Sequence, residues 1–150
     1  MKTEPTSYSI HDLAEEGTTF WDGVRNYQAR NYMRAMQRGD KVVVYHSNAE
    51  PSGAAGIAVV SGTARIDETA FDLDDHHYDP RSTPERPLWD AVDVDHHETF
   101  PGVVPLEVLR DDERLGGMML TSGKAMRLSI QPLDKKHFER IVALGRKTKT

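Results

Sequence analysis

The sequence predicts an α+β domain with a curved or closed sheet. Several segments read as strands, no regular series of crossover helices alternates with them, and the helical segments are short and lie toward the ends of the chain. At 150 residues the chain has the length of one domain and enough material for a real core.

The elements follow in order. In S-I-H-D-L-A-E-E-G, Ser9 stands at an N-cap, Asp12 lies three residues on and Gly17 is a stop, so a short helix is expected after a brief strand around Tyr8. Trp21 to Tyr27 reads as an irregular loop entering a helix. From Gln28 onward, Ala29, Tyr32, Met33 and Met36 recur at the spacing of a buried helix face, and Gly39-Asp40 ends the run. K-V-V-V-Y-H-S, residues 41–47, predicts a central strand with Val42, Val44 and His46 on one face and Val43, Tyr45 and Ser47 on the other. Residues 55–67 predict one long small-residue strand, with Gly56 and Gly62 allowing bends.

Residues 67–88 hold many Asp, His, Pro and Arg and few apolar residues, which predicts a long surface loop. W-D-A-V-D-V-D-H-H-E-T-F then alternates, Trp89, Ala91 and Asp93 against Val92 and Val94, as a half-exposed strand would. A short helix is expected from Pro105 through Leu109, a short strand in G-K-A-M-R-L-S-I-Q-P ending at Pro132, and a last helix near Asp134 with Phe138, Ile141 and Val142 inward. Residues 146–150 are expected to be a flexible basic tail.

Composition narrows the chemistry. The absence of cysteine removes disulfides, thiolate nucleophiles and Cys-type zinc sites. No apolar run approaches the roughly 18 residues of a membrane span, and the first residues lack the apolar segment of a signal peptide. A cytoplasmic address is expected, or a nuclear one in a eukaryote, with no membrane partner. The net charge of -5 conceals an asymmetry: residues 40–113 carry five basic and 17 acidic groups, and residues 114–150 nine and two. Phosphate binding depends on local clusters of Lys and Arg, so the acidic total excludes only broad, sequence-blind coating of nucleic acid.

Trp21 stands in a polar loop beside Asp22, Gly23, Arg25 and Asn26, where a tryptophan has less reason to be core and more reason to wall a pocket. A flat ligand such as a base needs a π-face to stack on and polar groups aimed at its edge, and Trp21 with Asn26, Ser47 and Asn48 could supply both. Arg30, Arg34 and Arg38 form a stripe at i, i+4 and i+8, either a solvated face or a phosphate contact. Lys2, Arg25, Lys41, Lys124 and Arg127 would decide between the two if they surround one opening.

The doublets His76-His77 and His96-His97 invite a metal reading, but adjacent strand residues point to opposite faces, and a solvated acidic loop is the preferred reading. Neither HExxH, an EF-hand, G-x-S-x-G, G-x-G-x-x-G nor a Walker pattern is present. No metal, cofactor or catalytic residue is expected.

M-K-T-E-P, T-F-W-D-G-V-R-N-Y-Q-A-R-N-Y-M, V-Y-H-S-N, Y-D-P-R-S, V-D-V and R-L-S-I-Q-P together resemble the EVE domain family, in its order and over nearly the whole chain. The resemblance implies a PUA-like fold, a strongly bent β-barrel flanked by short helices, related to the YTH and ASCH domains. It implies a base pocket lined by Trp21, Val24, Asn26 and Tyr27, by Tyr45, His46, Ser47 and Asn48, and by Lys2, Glu4 and Ser129. Arg25, Arg30, Arg34 and Arg127 would form the phosphate-contacting rim.

The function so implied is non-catalytic: a reader of DNA or RNA that accepts a flipped, modified base, a modified cytosine being the expected target. The acidic residues 67–98 would repel a nucleic-acid backbone on their side. Two alternatives stand beside it: an enzyme on a small molecule or nucleotide with His46 as base, and a protein-interaction or small-ligand module.

Overall fold

The computed structural model describes residues 1–123 and 127–149. Helix α1 (Ile10–Glu16) begins at the expected cap: Ser9 Oγ accepts from the Asp12 N–H, the Asp12 carboxylate accepts from the Ser9 N–H, and Gly17, at φ 82°, ends the helix. The strand before it is β1 (Lys2–Thr3), not the residues around Tyr8. Ser7 and Tyr8 both donate to the Glu4 carbonyl, so Glu4 to Tyr8 is a turn.

Strand β2 (Thr18–Trp21) was not foreseen, although T-T-F-W is β-branched and aromatic. Trp21 is therefore a strand residue, and the irregular loop is confined to residues 22–26. Helix α2 (Tyr27–Arg34) is capped by Asn26, whose Oδ1 accepts from the Ala29 N–H at 2.9 Å, and it buries Ala29 and Met33. It ends before Gly39 because the chain is already tied to the sheet there: the Gly39 N–H donates to Val60 O and the Val60 N–H to Asp40 O.

Strands β3 (Lys41–His46), β4 (Gly53–Val60), β5 (Arg65–Ile66) and β6 (Asp90–Pro105) complete a six-stranded sheet in the order β1-β3-β4-β6-β2, with β5 on β6. Among the described residues only the β1–β3 pair is parallel, and the other strand pairs are antiparallel. β3 is interior, between β1 and β4, although β1 covers only its Tyr45–His46 end and β4 is the middle strand. Register shifts at Val44/Tyr45, Ala54/Gly56 and Ile57/Ala58 mark irregularities of the kind that bend and twist strands. At Gly56 a Cβ would stand 2.4 Å from the Glu98 carbonyl, so this approach of β4 to β6 requires glycine. The sheet curls into the half-barrel of a PUA-like fold.

Three expected strands differ. Residues 55–67 are not continuous: β4 stops at Val60, the Ser61 N–H turns to Asp93 O, and β5 folds back onto β6. β6 is half-exposed only in part: Ala91 and Val92 are both buried, so both faces are covered at its start, whereas buried Val94 is flanked by the partly exposed Asp93 and Asp95, and His97 is exposed. Residues 127–132 form no strand; their tie to the sheet is the Lys2 N–H to Ser129 O bond of 2.7 Å, and residues 124–126 lie outside the described residues.

Helices α3 (Leu106–Asp111) and α4 (Lys135–Arg146) cover one end of the sheet. α4 turns Ile141 and Val142 inward as expected, with Phe138 partly buried. Within residues 146–149, Arg146 pairs with Glu98, and the Thr148 hydroxyl accepts from the Gly102 N–H and donates to the Gly102 carbonyl. Two cores result. Ile10, Leu13, Trp21, Met33, Val44 and Val92 belong to the first, and Tyr45, Ile57, Phe100, Leu109 and Ile141 to the second. No described helix is long and apolar enough to cross a membrane.

Candidate nucleic-acid interface

The motif loop is fixed from beneath by a carboxylate. Gly23, at φ 80°, donates its N–H to Asp67 Oδ2 at 2.8 Å, and a Cβ there would stand 2.6 Å from the His77 ring. Arg25 donates to the same Asp67 oxygen at 2.9 Å, to the Thr69 hydroxyl and to the His77 carbonyl. Burial would raise the Asp67 carboxyl, but the Thr69 hydroxyl, the Gly23 N–H and the Arg25 guanidinium together hold it below the usual carboxylate range. With a further bond to the Val24 carbonyl, Arg25 makes four directed bonds into the protein and braces the loop.

The expected pocket residues fall into three places. The first gathers around Trp21, which is 8% exposed and meets Tyr8 edge to face at 6.3 Å. The Thr3 hydroxyl donates to the Tyr8 carbonyl, the Ser47 N–H donates to Thr3 O, and Asn48 Nδ2 donates to the Glu4 carboxylate at 2.7 Å. So Trp21, Glu4, Ser47 and Asn48 share one neighbourhood, joined by Tyr8 and Thr3, which sequence reasoning missed. The missed signal was the turn that follows β1: it brings Tyr8 back over the strand. Val24 lies buried in the same core.

His46 belongs to this side but is committed. Its Nε2 accepts the Ile10 N–H at 3.0 Å, which requires the proton on Nδ1, and burial together with nearby His11 pushes its pKa down. The nitrogen that an enzyme would use as a base is already holding α1.

The second place is a cavity of about 780 Å³ at the β1–β3 edge, lined by Lys2, Tyr45 and Ser129 together with Tyr32, Met36 and Phe138. The Lys2 ammonium stands 6.0 Å from the Tyr45 ring centroid, and burial lowers the Lys2 pKa and raises that of Tyr45. Tyr45 packs in the second core and Trp21 in the first, and Trp21 is not among the residues lining this cavity.

The third place is the outer side of α2. Tyr27 is 47% exposed and stacks on buried Trp89, with centroids 4.8 Å apart and planes 23° apart. The Arg30 guanidinium lies 4.9 Å from the Tyr27 centroid and donates to Leu88 O. Arg34 pairs with Asp90, while Arg38 and Arg127 are exposed; Lys124 lies outside the described residues.

The acidic segment is less repulsive than its composition suggests. Asp67, Asp79 and Ser82 are buried and anchor residues 67–88 to the protein, while most of the other side chains of this segment lie at the surface. Asp67 pairs with Arg25, Asp79 with Arg81, Asp90 with Arg34 and Asp93 with Arg65. The Asp75, His76 and His77 ligand atoms lie within 4.8 Å of one another, but the His76 side chain is 86% exposed, consistent with a surface cluster.

Known proteins share this architecture. A hypothetical protein from Leishmania major superposes with a TM-score of 0.94 at 41% identity, over 98% of this chain and 92% of that one. The human THYN1 protein, solved in complex with 5-methylcytosine-containing DNA, superposes with a TM-score of 0.91 at 36% identity, over 99% and 96%. Chicken thymocyte nuclear protein 1 is 40% identical over 96% of this chain, which spans 66% of that protein's length. The EVE domain matches residues 1–144, and with the capped α1, the Trp21 motif loop and the half-barrel sheet in place, this chain belongs to the EVE domain family.

Proposed function

We propose that this domain is a non-catalytic reader that binds nucleic acid by accepting one flipped, modified base, with 5-methylcytosine in DNA as the first target. The observation that carries the proposal is the human relative solved with 5-methylcytosine-containing DNA, at 36% identity and matching 99% of this chain. Local geometry supports it. Trp21 and Tyr8 supply aromatic surface, and Ser47, Asn48 and Glu4, tied to them through Thr3 and the Glu4–Tyr8 turn, supply hydrogen-bonding groups.

Flipping costs a few kcal/mol and a base stack returns roughly 1–3 kcal/mol, so unmodified strands are bound weakly and the added methyl group must find apolar surface. The commitment of His46 Nε2 to the Ile10 N–H favours binding over proton transfer at this site.

The test is a fluorescence titration with single- and double-stranded oligonucleotides carrying cytosine, 5-methylcytosine or 5-hydroxymethylcytosine, at fixed salt, with wild type, Trp21→Phe and Tyr45→Phe. The expected result is tighter binding to one modified form, weakened by Trp21→Phe and unaffected by Tyr45→Phe. Loss of discrimination in Tyr45→Phe alone moves the base to the 780 Å³ cavity. Equal binding of all three bases by the wild type removes the modified-cytosine reading.

A further inference from the structure

Outside the Trp21 neighbourhood the protein holds an aromatic side chain in the open on a support of unusual construction. Tyr27, the first residue of α2, is 47% exposed. Its ring lies on Trp89, which is 1% exposed, and the Trp89 Nε1–H donates to Asp79 Oδ2 at 2.8 Å. Asp79 is gripped in turn by Arg81, whose Nε and Nη2 reach its two oxygens at 3.1 and 3.0 Å and whose side chain is 66% exposed. Tyr27 is thus a fixed platform, its ordering cost already met before any ligand arrives.

Guanidinium groups stand beside the platform. Arg25 stands 5.7 Å and Arg30 5.9 Å from the Trp89 ring centroid, and Arg30 lies 4.9 Å from that of Tyr27. Arg25 is balanced by Asp67 and Arg81 by Asp79. Arg30 donates only to neutral oxygens, Leu88 O and Asn31 Oδ1, and has no carboxylate partner among the described residues. An exposed π-face with an uncompensated guanidinium beside it, and a second guanidinium projecting from the neighbouring loop, matches an unpaired nucleotide: base on ring, phosphate on arginine.

We infer that Tyr27, Arg30 and Arg81 form a strand platform, separate from the Trp21 seat, that holds a nucleotide flanking the flipped base. The inference rests on the proposed reader function and adds a division of labour: Trp21 discriminates between bases, and the platform supplies affinity regardless of sequence. It also assigns Arg81, from the acidic loop, to the nucleic-acid face, where charge composition had excluded that loop.

The experiment measures binding of single-stranded oligonucleotides with cytosine or 5-methylcytosine, across a salt series, to wild type, Tyr27→Leu, Tyr27→Phe and Arg30→Gln. Tyr27→Leu is expected to weaken binding to every oligonucleotide by roughly five- to a hundredfold, the loss of one base stack, without changing the ratio between the two bases. Tyr27→Phe, which keeps the ring, is expected to bind as wild type. Arg30→Gln is expected to flatten the slope of log K against log salt by about 0.7.

Wild-type affinity in Tyr27→Leu, or equal weakening in Tyr27→Phe and Tyr27→Leu, overturns the platform while the reader reading stands. A wild type that ignores the methyl group yet loses affinity with Tyr27→Leu overturns the reader and leaves the platform. No binding by the wild type to any oligonucleotide overturns both.

Discussion

The two tryptophans are built into opposite surroundings. Trp21 ends a strand and packs among Ile10, Leu13, Met33 and Val92, with the Tyr8 ring edge to face against it. Trp89 is better buried, at 1% against 8%, yet its neighbours are Asp79, Arg25, Arg30 and the ring of Tyr27. Burial alone would have pointed to Trp89 as the ordinary core residue. What separates them is the covering layer: apolar core and Tyr8 over one, an exposed ring and guanidiniums over the other. A tryptophan under polar cover serves as a base for what stands on it.

The largest effects do not separate the two. Trp21→Ala and Trp89→Ala each remove a buried indole, and each should cost about 3–5 kcal/mol in urea denaturation. Phenylalanine separates them. Trp89→Phe keeps most of the apolar area but leaves the buried Asp79 carboxylate without its indole donor, and a hydrogen bond to a charged group is worth about 1.5–3 kcal/mol. Among the described residues the Trp21 indole donates to no carboxylate, and Trp21→Phe should cost less than about 1.5 kcal/mol. In the binding assay the order reverses: Trp21→Phe should lower the preference for the modified base, and Trp89→Phe should weaken all strands alike. Equal stability losses for the two phenylalanine variants would show that Asp79 does not hold Trp89.

Much of the Trp21 side was legible in the sequence. The capping box at Ser9, the buried face of α2 and the strand 41–46 each depend on local pattern, and each formed nearly as read. β2 was hidden because T-T-F-W is only four residues long and gains its partners from Asp93 and Val92, more than 70 residues away. The Trp89 side was almost illegible. Asp67, Asp79, Arg25 and Arg81 look like solvated charges in the chain, and only tertiary folding pairs them. The same holds for the expected pocket: alternation along β3 put Val42 and Val44 on one face and Val43 and Tyr45 on the other, as the two cores show, but no local pattern told that Trp21, on another strand, joins the Val42 and Val44 side.

Acid should attack the Trp89 side on its own terms. The Arg81 and Trp89 hydrogen bonds hold the Asp79 carboxyl well below the usual range, and Asp67 is also held low despite its burial. A carboxylate whose folded pKa is depressed contributes stability that is fully present above its unfolded pKa of about 3.9 and is lost as pH falls through the folded value. Denaturation midpoints should therefore decline below about pH 4, and Asp67→Asn should flatten that decline. A decline of the same size in Asp67→Asn would assign the acid sensitivity to other carboxylates.

The smallest expected effect lies on the Trp21 side and at a milder pH. His46 accepts the Ile10 N–H through Nε2, and protonation abolishes that acceptor, leaving a buried donor unpaired and a charge beside His11. Because burial and His11 depress the folded pKa below 6.5, the unfolded chain takes up this proton first. The stabilising contribution is complete above about pH 6.5 and is withdrawn as pH falls toward the folded value. One net hydrogen bond is worth about 1 kcal/mol, which sets the scale of the loss. Amide exchange of Ile10 and Leu13 should accelerate, beyond its intrinsic pH dependence, between pH 6.5 and 5, while the amides of residues 67–82 keep their protection. His46→Gln, whose side-chain oxygen can accept at any pH in that range, should abolish the difference. Simultaneous loss of protection in both regions would mean that the Trp21 and Trp89 sides open as one unit, and the contrast between them would then be one of chemistry only, without independent stability.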